Sequence, residues 1–391
     1  VLLRSSEYSW QNVPEPAIER DAAPIISGAN RLKLAMFGVN DDRGLVMTTA
    51  SGPPEATWSQ SVSLVQEAER LGFEAIIPLA RWRGYGGANN LGARSFETFT
   101  WAAGLAALTS RIQVFATFHV PTVHPVMAAK MVATIDHISG GRFGLNIVAG
   151  WQPEEIAMFG SPQRNHDERY EVSDEWTELV KRLWTEPGSF DFSGRFFDAP
   201  GAFSEPKPLQ QPSPVIMSAG ISPAGRNFAA KHAEVVFAAI ADPAQTASTV
   251  AEIKRLAQDT YGRQLRVFGR GHITCRETEA EAREAYRYFI LEHGDREAGE
   301  NVLRMLMEHS QTIDYSSAEM RALVEAVVRG YFAHPITGSP EQVVAELSRL
   351  AEAGLDGVAL TWNDYEEGLE QYGRMLLPLL AEAGLRQPLE G

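Results

Sequence analysis

Apolar residues come along this chain in short runs, and between the runs they return at helical spacing. Residues 32–39 (LKLAMFGV), 73–79, 112–118 and 142–148 are apolar nearly throughout. Such runs predict strands buried on both faces, as a parallel sheet requires. Residues 214–218, 235–239, 266–274 and 357–361 predict four more. Amphipathic stretches at 58–71, 96–109 and 126–137, and near 167–184, 222–232, 243–260, 277–293, 340–353 and 365–381, predict the helices between them. Gly72 and the pair Gly140–Gly141 stand where two of these helices should stop. Eight strand–helix units with right-handed crossovers predict an α/β fold, a (β/α)8 TIM barrel. The rival is a doubly wound open sheet, but its GxGxxG turn after the first strand is absent, and NDDRGLV follows Val39 instead. The glycine-rich turn at 83–87 (RGYGG) lacks a P-loop lysine.

The expected domain runs over 31–385, with a hairpin excursion near 185–210 and a charged helical insertion near 294–335. Residues 1–30 carry Glu7, Glu15, Glu19 and Asp21 among Pro14, Pro16 and Pro24. They predict an extended arm, without the basic start and apolar middle of a signal peptide. A chain of 391 residues allows two or three domains, yet barrels of this kind run that long as one. The net charge of -15 argues against nucleic acid or an anionic membrane as partner. No apolar run approaches the length of a membrane span. The single cysteine, Cys275, rules out a disulfide within the chain and points to a reducing, cytoplasmic setting. Its apolar neighbours suggest an inert core thiol.

Chemistry concentrates at the C-terminal ends of the expected strands, where barrels place their sites. Asn146 lies inside an apolar strand, so its amide needs partners: neighbouring backbone, or the polar edge of a planar cofactor. Thr117 closes the third strand in VFATFHVP, either as a β-branched strand residue or as a hydroxyl beside a ligand. Arg169 and Tyr170 fall in the first turn of a helix expected near Asp167, a position suited to phosphate or to a solvated charged face. The turn SAGISPAG (218–225) exposes backbone N–H groups, and Ser222 is either an added donor or a plain helix cap. Asp41 and Asp42 either face the site or cap their loop. Glu155 is placed to accept from a ligand or an arginine, and its chain neighbour Glu154 makes it a poor member of a glycosidase pair. The histidines show no metal-ligand spacing, and there is no serine-hydrolase elbow.

Several stretches in order, RWRGYGG (81–87), SFETFTWAAGLAALTSRIQVFAT (95–117), ATIDHISGGRFGLNIVAGW (133–151), SAGISPAG and LTWNDYEEGLEQYG (360–373), resemble the luciferase-like flavin monooxygenases over residues 32–385. Within that family the sequence is most similar to the pyrimidine monooxygenase branch, with the dialkyl sulfone monooxygenases sharing much of the pattern. The resemblance implies a barrel that uses reduced FMN, supplied by a separate reductase, and O2 to oxygenate a small organic substrate. A nitrogen heterocycle opened at an amide bond comes first and a sulfone second. A deazaflavin-dependent dehydrogenase and a non-catalytic flavin binder are the alternatives on the same fold. It implies FMN contacts at Ala80, Arg81, Asn146, Glu155, Arg169, Tyr170 and Ser222, O2 held by Thr117 and Asn146, and a homo-oligomer, dimer or tetramer. Phe118, His119 and Trp151 are expected to wall the substrate. The chain departs from the branch at Ala80-Arg81, where an Ile-Lys pair is usual, at 118–123 (FHVPTV) and in the loop 40–52. These departures bear on the substrate more than on the flavin.

Overall fold

The computed structural model describes residues 17–52, 55–307 and 317–388. Residues 1–16 of the expected arm and 308–316 of the expected insertion lie outside the described residues. Eight parallel strands form the centre: β1 (Lys33–Phe37), β2 (Ala75–Ile77), β3 (Gln113–His119), β4 (Phe143–Val148), β5 (Val215–Ser218), β6 (Val235–Phe237), β7 (Arg266–Cys275) and β8 (Gly357–Thr361). Their order is β6-β5-β4-β3-β2-β1-β8-β7, and β7 pairs back onto β6, which closes the barrel.

Period-two alternation sorts the side chains into two layers. Phe37, Ile77, Phe115, Met217, Phe237 and Phe268 point inward and fill the barrel floor. Met36, Ile76, Val114, Phe118 and Leu145 point outward against the helices. This double burial explains why the strands read as unbroken apolar runs.

The helices begin where the sequence supplies a cap. Thr57 accepts from the Gln60 N–H, Glu97 from Phe99 and Thr100, Asn165 from Glu168, Ser222 from Gly225 and Asp242 from Gln245. Gly140, at φ 63°, ends the helix before β4 in the left-handed conformation that glycine adopts without strain. The helix expected at 96–109 is shorter, Thr98–Ala106, because Glu97 caps it. The stretch 277–293 opens with a Thr278–Glu281 capping box and runs Glu279–Tyr286, then loosens into a π-helical turn at Arg287–Glu292.

Residues 190–202 form an antiparallel hairpin, Phe190–Ser193 with Asp198–Ala202. After β7 come two helices, Arg296–Met307 and Ser317–Val328, and then a strand, His334–Gly338, that pairs with the far half of β7 outside the barrel. Only its first two residues fall in the stretch expected to be helical, and 336–338 were assigned to no element. The two helices pack on Val46, Met47, Tyr85 and Leu91 and so cover one side of the barrel mouth. The loop after β1 is tied to them through Thr49 N–H to the His293 carbonyl and Asp295 N–H to the Met47 carbonyl, both 2.7 Å. Ile18–Glu19 pairs in parallel with Gln210–Gln211 at the barrel's N-terminal end.

Candidate active site

The inward residues change character along the strands. Above the aromatic floor, β3 presents Thr117 and His119, β4 presents Asn146, and β7 presents Arg270 and His272. Thr117 and Asn146 are register partners, and the Asn146 amide donates to the Thr117 hydroxyl at 3.0 Å. The Thr117 carbonyl is taken by the Thr98 hydroxyl at 2.5 Å. Asn146 is 3% exposed, and its Oδ1 has no partner. A buried amide oxygen without a donor is uncommon in a folded chain, and here it points to a ligand.

Arg169 and Tyr170 enter from the first turn of the helix His166–Thr185. Arg169 donates to the Gly150 carbonyl at 2.5 Å, while its Nε is buried without a partner. Burial lowers the Arg169 pKa, with Tyr170 opposing. The Tyr170 hydroxyl lies over the turn after β5. A Cβ on Gly220 would stand 2.6 Å from it and 2.7 Å from the Gly225 Cα. Glycine therefore lets the Tyr170 hydroxyl close directly over this turn, beside Ser222, which caps the helix Pro223–His232. These residues suit an anion: a helix N-terminus and a buried guanidinium with an unpartnered nitrogen.

Glu155 is fully buried, and Arg81 meets it at 3.1 Å. It also accepts from the Trp82 and Arg83 N–H groups at 2.7 and 3.1 Å. His119 stacks its polar edge on the same pair, 3.3 Å from Arg81 and 3.5 Å from Glu155. Burial, then Arg81, holds the His119 pKa well below the usual imidazole value, so the ring is neutral. Of the two readings of Glu155, pairing with an arginine is the one the geometry gives. Ala80 is buried beside this cluster. Trp151 lies under the Arg81 guanidinium, 4.9 Å from its ring centre, and near-parallel to Tyr85 at 6.2 Å.

Phe118 goes elsewhere. It packs against Phe99 and Trp176 in the helix layer, at 5.8 and 4.8 Å between rings. Phe115, Thr117 and His119 take the inner face of β3, so residue 118 must take the outer one. The pocket wall expected of Phe118 is supplied instead by Tyr85 and Tyr331, whose rings meet edge to face at 5.6 Å. Neither was singled out from sequence, and nor were Arg270 and His272. The last two had a visible signal, polar residues at period two inside VFGRGHITC. Burial lowers the Arg270 pKa to about 10 and that of His272 to about 3. Cys275 is buried, and burial pushes its thiol up to about 11, as an inert core residue requires.

Beyond Tyr85 an open cleft of about 680 Å³ leads outward between Arg83, Asn90, Pro153, Glu154 and Asn301. Asp174, Glu178 and His232 lie close enough together to suggest a metal. Lys231 already supplies the charge there, bonded to both carboxylates at 2.7 Å.

A closed parallel barrel with polar residues gathered at its C-terminal mouth is an enzyme architecture. This one is a luciferase-like monooxygenase: the sequence model of that family matches residues 36–357, and the chain belongs to it. It is a flavin-dependent monooxygenase. The pyrimidine monooxygenase RutA of Cronobacter turicensis is 32% identical over 374 residues, covering 93% of this chain and 97% of the relative. Two solved structures share the fold at a TM-score of 0.81. A riboflavin lyase (RcaE) with modified FMN and riboflavin is 22% identical and covers 92% of this chain and 94% of its own. A long-chain alkane monooxygenase (LadA) is 23% identical and covers 92% and 93%.

Proposed function

We propose that the mouth holds reduced FMN and that the enzyme uses O2 to oxygenate a small nitrogen heterocycle at an amide group. The observation that carries the flavin reading is the pair of unpartnered buried atoms, Asn146 Oδ1 and Arg169 Nε, facing the same mouth from different elements. They fit the polar edge of a flavin ring and its phosphate. Ser222, Tyr170 and the Gly220–Gly225 turn complete the phosphate end. The bound flavin supplies electrons to O2. The chain's own part is positioning. Because the Thr117 hydroxyl accepts from Asn146, its proton is free to donate into the mouth toward an oxygen held there. Tyr85, Trp151 and the insertion keep water from that space. The heterocycle reading rests on the likeness to pyrimidine monooxygenases. A separate reductase supplies the reduced flavin, and no helix among the described residues is long and apolar enough to cross a membrane.

The test is an anaerobic titration with reduced FMN and, in parallel, with a reduced deazaflavin, followed by admission of labelled O2 in the presence of uracil. Tighter binding of FMN and mass-spectrometric label in the product are expected, with turnover only when a reductase is added. Preference for the deazaflavin, or product without label, would replace this reading with a hydride-transferring one.

A further inference from the structure

The loop after β1 buries a carboxyl group that flavin binding does not use. Asp41 is fully buried, and neither of its side-chain oxygens has a hydrogen-bond partner. It does not cap its loop. The loop is closed by backbone, with the Asp41 carbonyl accepting from the Gly44 N–H at 3.1 Å and the Asp42 N–H donating to the Arg94 carbonyl at 2.9 Å. The side-chain capping falls to Asp42, which accepts from Ala56 N–H at 3.1 Å.

The titratable and charged groups around Asp41 come from every neighbouring element. Arg81 and Tyr85 lie in the loop after β2, Glu155 in the helix Pro153–Met158, Tyr331 at the return of the insertion, Tyr365 after β8, and Asp42 beside it. The one cation among them, Arg81, is already bonded to Glu155. The Tyr365 hydroxyl is spent on the Phe37 carbonyl. The hydroxyls of Tyr85 and Tyr331 are buried, face one another and have no other partner. Tyr331 is delivered there by a left-handed backbone, φ 51°, which a tyrosine adopts only at a cost. Burial, only partly offset by Arg81, pushes the Asp41 carboxyl well above its ordinary range, and a buried carboxyl without a paired cation favours the protonated form, which offers one donor beside one acceptor.

We propose that Asp41 is a substrate-binding residue, its carboxyl group pairing with the adjacent C=O and N–H of an uncharged, planar cyclic amide, with the Tyr85 and Tyr331 hydroxyls completing the site. This rests on the flavin and heterocycle reading above and names the residue that selects the heterocycle. A lactam or imide edge matches a carboxylic acid donor for acceptor. A sulfone brings acceptors alone and leaves the acid's own carbonyl unpaired. The rings of Tyr85, Trp151 and Tyr331 suit a flat molecule, and the outer cleft reaches it past Tyr85.

The experiment compares wild type, Asp41→Asn and Asp41→Ala as full chains. Affinity for reduced FMN is measured anaerobically, and kcat and KM are measured with a flavin reductase for uracil and for dimethyl sulfone. The protonated-carboxyl infrared band is read at neutral pH against Asp41→Asn. FMN affinity stays at the wild-type level in both variants. For uracil, kcat/KM falls about thirtyfold in Asp41→Ala, the loss of two hydrogen bonds, and recovers to within about fivefold in Asp41→Asn, whose amide keeps a donor and an acceptor. The band is present in wild type only. The thermal midpoint of Asp41→Asn equals or exceeds that of wild type, because a structural partnership is absent. Wild-type kinetics on uracil in Asp41→Ala would overturn the proposal, as would a missing band or a lowered midpoint in Asp41→Asn. Turnover of the sulfone without turnover of uracil would overturn the ligand class and leave the flavin reading standing. Failure of wild type to bind reduced FMN would fall on the flavin reading itself, and the infrared band would still report on Asp41.

Discussion

Both ends of the barrel bury ionisable groups, and both pair their buried ions, as Glu155 with Arg81 at the mouth, but they differ in how many polar groups they leave without a partner. Among the described residues, the buried carboxylates at the N-terminal end are occupied by the chain itself. Glu74, just before β2, takes Arg386 at 2.6 Å and the Leu34 N–H at 2.7 Å. Glu234, just before β6, takes Arg20 at 2.7 Å, Arg263 at 2.5 Å and the Ile216 N–H at 2.8 Å. Asp136 takes the Gln210 backbone and side-chain amides at 2.9 and 2.6 Å. At the C-terminal end Asp41, Asn146 Oδ1 and His272 Nε2 have nothing, and the Tyr85 and Tyr331 hydroxyls have only each other. A buried polar atom costs the fold about 1–3 kcal/mol when unpaired. At the base the carboxylates avoid that cost, with Arg386 Nε and Gln210 Oε1 left unpaired, and the mouth bears it at more atoms. The first end therefore serves stability, and the second is held open for a ligand.

The comparison breaks most visibly at the base. Glu74→Ala leaves Arg386, 3% exposed, as an uncompensated buried cation. The expected loss is about 3–5 kcal/mol by denaturant unfolding, with flavin affinity per folded molecule unchanged. A loss under about 1 kcal/mol would mean the base tolerates an unpaired charge as the mouth tolerates unpaired polar groups. Next in size is the mouth itself. Thr117→Ala and Asn146→Ala should each lower oxygenation by about 10²–10³-fold, the usual effect of removing one preorganised polar contact, while unfolding shifts by under about 1 kcal/mol. Normal turnover in both variants would move the oxygen-handling site away from β3 and β4.

How far the sequence carried depends on burial. All eight barrel strands were legible because both faces are covered, so apolar residues fill most positions. The strand His334–Gly338 was not, since it pairs only at the outside of β7 and reads HPITG, with a proline and little apolar content. Thr117 and Asn146 stood out as polar residues in apolar strands. Phe118 was set on the pocket by resemblance, whereas counting two by two from Thr117 sends it outward. The two open roles of Asp41 separated only when the loop's own hydrogen bonds were seen. Tyr331 carried no local signal at all. Its place depends on where a long insertion returns to the barrel.

A smaller effect is expected at the phosphate end. Arg169→Ala should weaken reduced FMN about 10–100-fold, the worth of one charge-assisted hydrogen bond, and leave kcat at saturating flavin largely intact. Gly220→Ala should act in the same direction, because its Cβ would crowd the Tyr170 hydroxyl and the Gly225 backbone. Titration by flavin fluorescence reads both. Unchanged affinity in Arg169→Ala would reduce that residue to a support for the Gly150 carbonyl.

The smallest effect per pH unit tests whether the mouth is as dry as its unpartnered atoms imply. His272 is fully buried on β7, and burial holds its pKa near 3 against an ordinary 6.5. Below pH 6.5 the unfolded chain takes a proton that the folded one refuses. Folding is therefore weakened by about 1.4 kcal/mol per pH unit on acidification, until the folded value is reached. His119 acts in the same direction. Asp41 has the opposite sign, because its raised pKa makes the folded state lose stability as pH rises above the ordinary carboxyl value. His272→Asn should thus flatten the acid limb of a stability–pH curve measured between pH 7 and 5 in the absence of ligand. Asp41→Asn should lift its neutral limb. If both variants kept the wild-type slope, the two side chains would be exchanging protons with solvent in the folded state, and the mouth would be wet.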